Sequence, residues 1–503
     1  MDFDPSFSFI AIFSFFLAVF FRLITRCVPV PDQNSNLPPG PRKLPLIGNL
    51  YQLIASSKLP HQLLTDLAEK YGPVMHLQLG EVNIVVISSP EAAKEVMKTH
   101  DVTFSNRPSL LVTDIILYKN SDIASAPYGE YWRQLRKFCA IELLSVKRVQ
   151  SFRALREEEF LSLCGCIASN EGLSMNLTEK ICLTTCNVVM QASIGKKGDE
   201  LTEIISTSKE SAELASGFYL ADLYPSISLF RRISGAARKT ERVHKKSDRI
   251  IQNIIDQRRE SANGSKQQED FADVLLKSRN ELQLTNDNIK AVIQDIFGAG
   301  IETSSTTTDW AMAEMIRHPR VLKKAQEEVR EVFKDKGFVE ESRFEELKYL
   351  KSIIKETLRM HPPFPLLLPR ENSEQCEIFG YKVPSKSRVM VNAWAIGRDP
   401  RYWKEPHSFI PERFLDNPVD YKANNFELLP FGGGRRICAG ISFGLANVEL
   451  PLAMFLYHFD WVLPDGMKPE DLDMSETSGI TASRKYPLYV IPRVKITLPV
   501  KQD

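Results

Sequence analysis

The chain is poor in the residues that build most metal and redox centres: its 503 residues include only 8 histidines, 8 cysteines and 5 tryptophans. The cysteines are scattered, and only Cys164/Cys166 and Cys182/Cys186 stand close together. Neither pair has a histidine beside it, so neither reads as a tetrahedral zinc site. Nor does this spacing form the framework of a small secreted disulfide scaffold, and the thiols read as reduced. An excess of charge of one sign is missing too. Lys plus Arg number 64 against 63 for Asp plus Glu, a net charge of +1. Without a basic surplus the chain lacks the electrostatic footprint of a nucleic-acid binder. Internal repeats and Gly/Ser- or Pro-rich linkers are absent between residues 42 and 503. Length alone would suggest about three domains. Apolar-periodic segments nevertheless run on without a compositional break, so residues 42–503 read as one large, mainly helical unit with a minor β part.

Long apolar runs are also scarce, and the clearest lies at the N-terminus. Phe7–Phe21 is almost wholly apolar and extends past Arg22 to Ile24, about 18 residues and close to a bilayer span. Asp2 and Asp4 precede it, while Arg22, Arg26, Arg42 and Lys43 follow it. A cleaved signal peptide begins positive and ends in small residues, the opposite arrangement. By the positive-inside tendency the N-terminus faces the lumen and the remaining bulk faces the cytosol. Residues 1–25 are thus expected to be a transmembrane anchor. Residues 26–41, with Leu37-Pro38-Pro39-Gly40-Pro41, are expected to be a stiff proline-rich hinge. Asn176-Leu177-Thr178 and Asn263-Gly264-Ser265 match glycosylation acceptors, but a cytosolic domain would not meet the enzyme that uses them.

Along the body, Leu63–Tyr71 predicts a helix, and Val74–Leu79 and Val82–Ser88 predict a hairpin around Gly80-Glu81. Glu91–His100 predicts another helix. Residues 105–128 are Ser/Pro-rich with apolar islands, which predicts a long loop of the kind that lines sites. Helices dominate from there to about 363, with breaks near Asn170, Asn263 and Lys334–Gly337. Short strands are expected within 363–430, and two final strands at Tyr489–Pro492 and Val494–Leu498.

What is present is concentrated in Phe431–Gly440, FGGGRRICAG. A glycine-rich bend delivers Cys438 to an apolar helical run, Ile441 to Phe459, where helix-start N–H groups favour a thiolate. Gly432, Gly433 and Gly434 remove side chains that would hold the backbone away from a large flat ligand. Arg436 can reach an acidic group at that ligand's rim. Alone, Cys438 would be an ordinary buried thiol. The glycines alone would be an anion loop, although no Lys-Ser or Lys-Thr follows as a phosphate loop requires. One soft anionic ligand offered from one face suits haem iron. The run resembles the haem-binding signature of the cytochrome P-450 family, F-x-x-G-x-R-x-C-x-G, at Phe431, Gly434, Arg436, Cys438 and Gly440.

Three other regions support that resemblance. Thr285 can cap a helix running to Arg317, with Asp287 in its first turn. At its centre Ala299-Gly300-Ile301-Glu302-Thr303-Ser304 opens a run of six hydroxyl residues, Thr303 to Thr308, that are poor helix formers. Thr303 can bond the carbonyl four residues back, and Glu302 can relay protons; the plain alternative is a Ser/Thr stretch satisfying its own backbone. A-G-x-E-T-S resembles the family's oxygen-activation motif, with Glu for the commoner Asp and Ser304 for Thr. Glu356 and Arg359, at i and i+3, resemble the family's E-x-x-R, and Arg413 of Pro411-Glu412-Arg413-Phe414 its P-E-R-F. The resemblance implies a buried structural triad of these three charges. Glu327 and Arg330 share the spacing but read as a solvated pair. Trp132 and Arg136, at i and i+4, can grip one carboxylate or simply pack together. The resemblance to W-x-x-x-R implies haem propionate contacts for them, together with Arg370 and Arg436.

Taken together these motifs resemble a plant microsomal cytochrome P-450, of the large plant clan acting on terpenoids and other secondary metabolites. The resemblance implies the P-450 fold with haem b on Cys438, and O₂ and NADPH as co-substrates. It also implies an endoplasmic reticulum membrane location and electrons from NADPH-cytochrome P-450 reductase, since the sequence carries no flavin or nicotinamide fingerprint. Arg133, Lys137, Lys147, Arg148 and Arg435 are candidates for a basic docking face, with a solvated surface as the default. Leu110, Leu111, Ile115, Ile296, Ala299, Leu366, Leu367 and Ile480 are candidates for an apolar pocket, although each alone would be plain core. The expected reaction is oxidation of a lipophilic metabolite, with a sesquiterpene or diterpene skeleton favoured over a phenolic or alkaloid one. Two rivals stand beside it: a haem-thiolate isomerase or dehydratase that needs neither O₂ nor reductase, and a non-catalytic haem-binding protein. Relatives of the isomerase kind tend to lack the acid–threonine pair that Glu302 and Thr303 keep here.

Overall fold

The computed structural model describes residues 36–195, 200–217, 219–260, 269–421, 424–477 and 479–499. The anchor expected at 1–25, the first ten residues of the hinge and the break expected near Asn263 lie outside them. Among the described residues no helix is long and apolar enough to cross a membrane. The described end of the hinge is extended, as its prolines demand, and is fastened to the first strand: the His76 N–H donates to the Pro39 carbonyl at 2.9 Å.

Helices carry most of the fold because apolar residues recur at helical spacing along the chain. Those that position the site are α1 (Pro60–Tyr71), α2 (Leu111–Ile116), α3 (Glu130–Phe138), α4 (Leu177–Ile194), α5 (Glu200–Ala215), α6 (Asn286–Arg317), α7 (Lys348–Met360) and α8 (Ile441–His458). The strands are β1 (Val74–Leu79), β2 (Val82–Ile87), β3 (Met175–Asn176), β4 (Arg370–Glu371), β5 (Cys376–Ile378), β6 (Tyr381–Val383), β7 (Arg388–Val391), β8 (Phe459–Val462) and β9 (Tyr489–Val494). β1 and β2 form the expected hairpin, paired from Val74↔Ile87 to Leu79↔Val82 around Gly80 at φ +60°. β7 runs parallel to β2 and antiparallel to β4, giving the order β1-β2-β7-β4. Arg370 therefore sits on the edge strand.

Ile181 and Val188 of α4, Ala311 and Met312 of α6, and Val448 and Phe455 of α8 share one apolar cluster. Each of the larger side chains contributes about 1.5–3 kcal/mol on burial, and together they fix α6 between its two neighbours.

Two expectations need correction and one needs refinement. The region 105–128 is not all loop, because it contains α2; Val112 and Ile116, four apart, bury one face against Leu214 and Val243. The signal is a single turn long and is masked by flanking Ser and Pro. The segment expected as one helix, Glu91–His100, is helical but widens from an α-helix at Pro90–Lys94 into a π-helix at Glu95–Thr99. The two final strands are one. β9 runs through Pro492 opposite Trp461 of β8, and the Lys495 and Ile496 N–H groups donate to the His458 carbonyl instead of extending a strand.

Candidate active site

α6 begins at a capping box: Thr285 Oγ1 accepts from the Asn288 N–H at 3.2 Å, and Asn288 Oδ1 accepts from the Thr285 N–H at 2.8 Å. Two orphan donors are thereby satisfied, and the helix runs unbroken to Arg317 before His318-Pro319. Its hydroxyl-rich middle stays helical because the side chains bond back along the helix. Thr303 donates to the Ala299 carbonyl at 2.7 Å, Ser305 to Ile301 at 2.8 Å, Thr307 to Thr303 at 2.8 Å and Thr308 to Ser304 at 3.0 Å. The plain reading of a Ser/Thr stretch thus holds for four of the six hydroxyls, the expected Thr303 bond among them, while Ser304 Oγ is buried without a partner. The Thr303 oxygen keeps its acceptor capacity. Burial raises the Glu302 carboxyl, against lowering contributions from the Thr481 hydroxyl and Lys209.

The Phe431–Gly440 bend is set by glycines with different reasons. At Gly434 (φ +65°) a Cβ would stand 2.1 Å from the Met97 carbonyl oxygen, and at Gly433 one would stand 3.1 Å from the Met97 sulfur. Those two glycines let the bend pack on the Glu95–Thr99 turn, which corrects the expectation that all three serve a flat ligand. Gly432 (φ +68°) and Gly440 line the cavity described next, and a Cβ on either would meet no atom closer than Leu367, 3.8 Å from Gly432. The Cys438 N–H donates to the Phe431 carbonyl at 3.0 Å, one turn before α8. The Cys438 surface opens into the cavity and is otherwise enclosed by protein. Burial pushes its thiol up, and the Gly440 N–H and Arg136 only partly offset this. The helix-start N–H favours the thiolate as expected, and a bound metal cation would be the larger charge acting on the sulfur.

The cavity has a volume of about 850 Å³, and Cys438, Phe431, Ala299, Glu302 and Thr303 all line it. Five arginines do so as well: Arg484, and a mutually repelling group of Arg107, Arg136, Arg370 and Arg436. Arg436 donates to the carbonyls of Ser105 at 2.7 Å and Ala126 at 2.6 Å, and its guanidinium lies 4.0 Å from the centre of the Trp132 ring. Arg370 donates to the Gly433 carbonyl at 2.6 Å. The Trp132 indole donates to the Ile123 carbonyl at 2.8 Å, and Arg136 donates to the carbonyl of Ile437. Burial, and then the neighbouring Arg370, pull Arg436 down to about 9. Arg107 is lowered by burial and by both Arg370 and Arg436.

Sequence reasoning missed Arg107, Asp122 and Asp295. Arg107 donates to the Ala124, Leu368 and Pro369 carbonyls, and its signal was a lone cation just before Pro108 at the head of a site-lining loop. Asp295 accepts from the Ile123 and Ala124 N–H groups at 3.2 and 3.0 Å, and its signal was an acid inside Ala291–Phe297. Burial pushes Asp295 up to about 8 and Asp122 up to about 6. Buried guanidiniums that repel one another call for an anion. A flat apolar ring with carboxylates at its rim and a metal for the sulfur fits this donor set, so the residues present suit haem.

Of the expected pocket residues, Ile296, Ala299, Leu367 and Ile480 line the cavity, while Leu110, Leu111, Ile115 and Leu366 lie off it. α2 supplies Val112, Thr113, Ile116 and Leu117 instead, because its helical turn rotates those positions inward. Leu366 packs on the cluster formed by α1, β1 and β2.

The three charges expected to form a triad do meet. Arg359 donates to Glu356 through Nε at 2.7 Å and Nη2 at 2.8 Å, and Arg413 Nε reaches Glu356 Oε1 at 3.0 Å. The same oxygen accepts from the Ile410 N–H at 2.8 Å, and Arg359 Nη1 donates to the Gly397 and Pro406 carbonyls. Arg330, by contrast, turns away from Glu327 to Asp460 at 2.8 Å.

A sequence model described as Cytochrome P450 matches residues 38–490. Salviol synthase of Salvia pomifera is 50% identical over 493 residues, covering 97% of this chain and 98% of that protein. Premnaspirodiene oxygenase of Hyoscyamus muticus is 50% identical over 494 residues, covering 96% and 98%. 5-Epiaristolochene 1,3-dihydroxylase of Nicotiana tabacum is 49% identical over 497 residues, covering 96% and 97%. Among solved structures, a zebra fish cytochrome P450 with progesterone superposes with a TM-score of 0.76 at 25% identity, covering 87% of this chain and all of that one. With a family model spanning the fold and half of all residues shared with full-length relatives, the chain belongs to the cytochrome P450 family.

Proposed function

We propose that this protein oxygenates a sesquiterpene or diterpene, with Cys438 as the iron ligand and the turn Ala299–Thr303 as the oxygen-activating element. As a cytochrome P450 it is a haem monooxygenase, an oxidoreductase using haem b, O₂ and electrons from NADPH. When bound, the haem supplies reductive activation of O₂, tuned by its thiolate ligand. The observation that carries the reading is a single cavity lined by Cys438, by Glu302 and Thr303, and by the clustered guanidiniums of Arg107, Arg136, Arg370 and Arg436.

The residues divide the work. Arg107, Arg136, Arg370 and Arg436 hold the carboxylate rim, and Trp132 supports Arg436 from below its guanidinium plane. Gly432 and Gly440 let the backbone approach the ring. Thr303, whose hydroxyl donates to the Ala299 carbonyl, would offer its oxygen as a hydrogen-bond acceptor in the cavity. Glu302, raised by burial towards the working pH, takes protons from water and passes them on. Ile296, Ala299, Leu367 and Ile480 provide apolar contact for the substrate. The names of the relatives, which point to premnaspirodiene oxygenation and 5-epiaristolochene dihydroxylation, support a terpene skeleton.

On this reading residues 1–25 anchor the protein in the endoplasmic reticulum membrane with the N-terminus lumenal. Residues 26–41 are the hinge and 42–503 the cytosolic catalytic domain. NADPH-cytochrome P-450 reductase is the electron donor. Arg133, Lys137, Lys147, Arg148 and Arg435 are its proposed docking face; Lys137 and Lys147 are exposed there, while Arg435 lies 3.5 Å from Asp101.

The test has two arms. Cys438→Ser must abolish the carbon monoxide absorption shift typical of sulfur-ligated haem; its persistence sinks the assignment of the ligand. The wild-type protein with reductase and NADPH is offered a panel of sesquiterpene and diterpene hydrocarbons. Failure to oxygenate any of them, together with turnover of a phenolic or alkaloid panel, rejects the substrate class.

A further inference from the structure

Ile480 and Thr481 enter the cavity on a loop that leaves it again at Pro487. This loop is tied down at points remote from the Cys438 sulfur. The Ile480 N–H donates to Ser216 Oγ, just past α5, at 2.8 Å. The Ala482 carbonyl accepts from the Trp310 indole at 2.9 Å, and the Ala482 N–H donates to the Pro363 carbonyl at 2.9 Å. Further along, Arg484 and the Leu488 N–H converge on one carboxylate. Asp309 Oδ1 accepts from Thr178 Oγ1 at 2.6 Å, and Thr178 Oγ1 in turn accepts from the Leu488 N–H at 2.8 Å. Asp309 Oδ2 lies 3.6 Å from Arg484 Nε, with both side chains at least 95% buried.

Arg484 Nε is buried without a hydrogen-bond partner, so Arg484 meets Asp309 through a Coulombic contact in place of a closed fork. A buried unscreened charge pair acts strongly at that distance. Small changes at Asp309 are therefore transmitted to the wall that carries Ile480. Asp309 sits two helical turns beyond Glu302 on the same helix face, about 10 Å along α6, too far to touch the reacting atoms.

We propose that Asp309 is a positioning residue for substrate specificity: through Arg484 and Thr178 it sets how deeply Ile480 and Thr481 enter the cavity. The inference rests on the proposed reading that substrate occupies this cavity against Ile480.

The test uses full-length holoenzyme and two probes, imidazole and 1-dodecylimidazole, whose dissociation constants are read from the visible-spectrum shift on nitrogen ligation. Asp309→Asn is expected to leave imidazole affinity unchanged and to alter the dodecylimidazole-to-imidazole ratio by about tenfold, the scale of one misplaced methylene in an apolar pocket. Arg484→Lys keeps the charge and is expected to change the ratio in the same direction. Ile480→Ala is the control for the cavity reading. A changed ratio in Ile480→Ala with an unchanged one in both Asp309→Asn and Arg484→Lys overturns the positioning role alone. An unchanged ratio in Ile480→Ala overturns the cavity reading, and the inference with it. Loss of haem from both latch variants also overturns it, because that outcome assigns the pair to the fold only.

Discussion

Arg359 closes on Glu356 with two parallel hydrogen bonds, 2.7 and 2.8 Å long, and both side chains are fully buried. Every strong donor of this Arg is used, on Glu356 and on the carbonyls of Gly397, Pro406 and Ser408. Glu356→Gln keeps the shape and removes the charge, leaving Arg359 and Arg413 facing each other. Breaking one partner of such a pair costs about 3–5 kcal/mol. The expected outcome is a lower thermal midpoint and sub-stoichiometric haem, measured by calorimetry and pyridine haemochrome absorbance; wild-type haem content would contradict it.

The glycines of the Cys438 bend separate folding from haem binding. In Gly434→Ala a Cβ meets the Met97 carbonyl at 2.1 Å and Asp101 Oδ1 at 2.5 Å, on a backbone at φ +65°. Backbone atoms cannot yield there, so the variant should fail to accumulate as folded protein. In Gly440→Ala no atom lies within 4 Å of the new Cβ. That variant should match wild type in circular dichroism and bind haem more weakly. Equal behaviour of the two variants would contradict the assignment.

Arg436 belongs to the cluster it forms in the cavity wall with Arg107, Arg136 and Arg370, and an anion relieves their repulsion. Arg436→Leu should speed transfer of haem to apomyoglobin by about 10- to 100-fold, the worth of one or two charge-assisted hydrogen bonds. Arg330→Leu, whose charge faces Asp460 away from the site, should leave that transfer unchanged.

Acid stability should be carried in part by a buried His–Glu network. Burial raises Glu314, but hydrogen bonds from His318 and His361 outweigh it and hold the carboxyl at about 2. Glu476 is likewise held at about 2 by His361 and His61 against burial. A depressed carboxyl contributes fully above its unfolded pKa, and the contribution is lost as pH falls through the folded value. Stability should thus decline between about pH 5 and pH 2, by on the order of 2 kcal/mol for each group. Glu314→Gln and Glu476→Gln should each flatten that limb in urea midpoints taken against pH; an unchanged slope refutes the assignment.

Local signals reported some parts of this molecule faithfully. The cap at Thr285, the stop at His318-Pro319, the hairpin at Gly80 and the back-bond of Thr303 each depend on residues within four positions of one another. α2 escaped notice because one helical turn between Pro108 and the serines gives too short a period to read. Leu110, Leu111 and Ile115 of the expected pocket set were misplaced for the same reason: without α2 there was no face from which to tell Val112 and Ile116 from them.

Ten residues around one sulfur, an acid beside a threonine, and a Glu–Arg spacing were enough to specify the class of chemistry, because those groups act through their own atoms and short-range geometry. Arg107 joining Arg370, the direction of the Cys438 thiol shift, and Asp309 meeting Arg484 were decided only when distant segments closed on one another. Burial and Coulombic energy depend on everything within several ångströms, and sequence order carries no record of that distance.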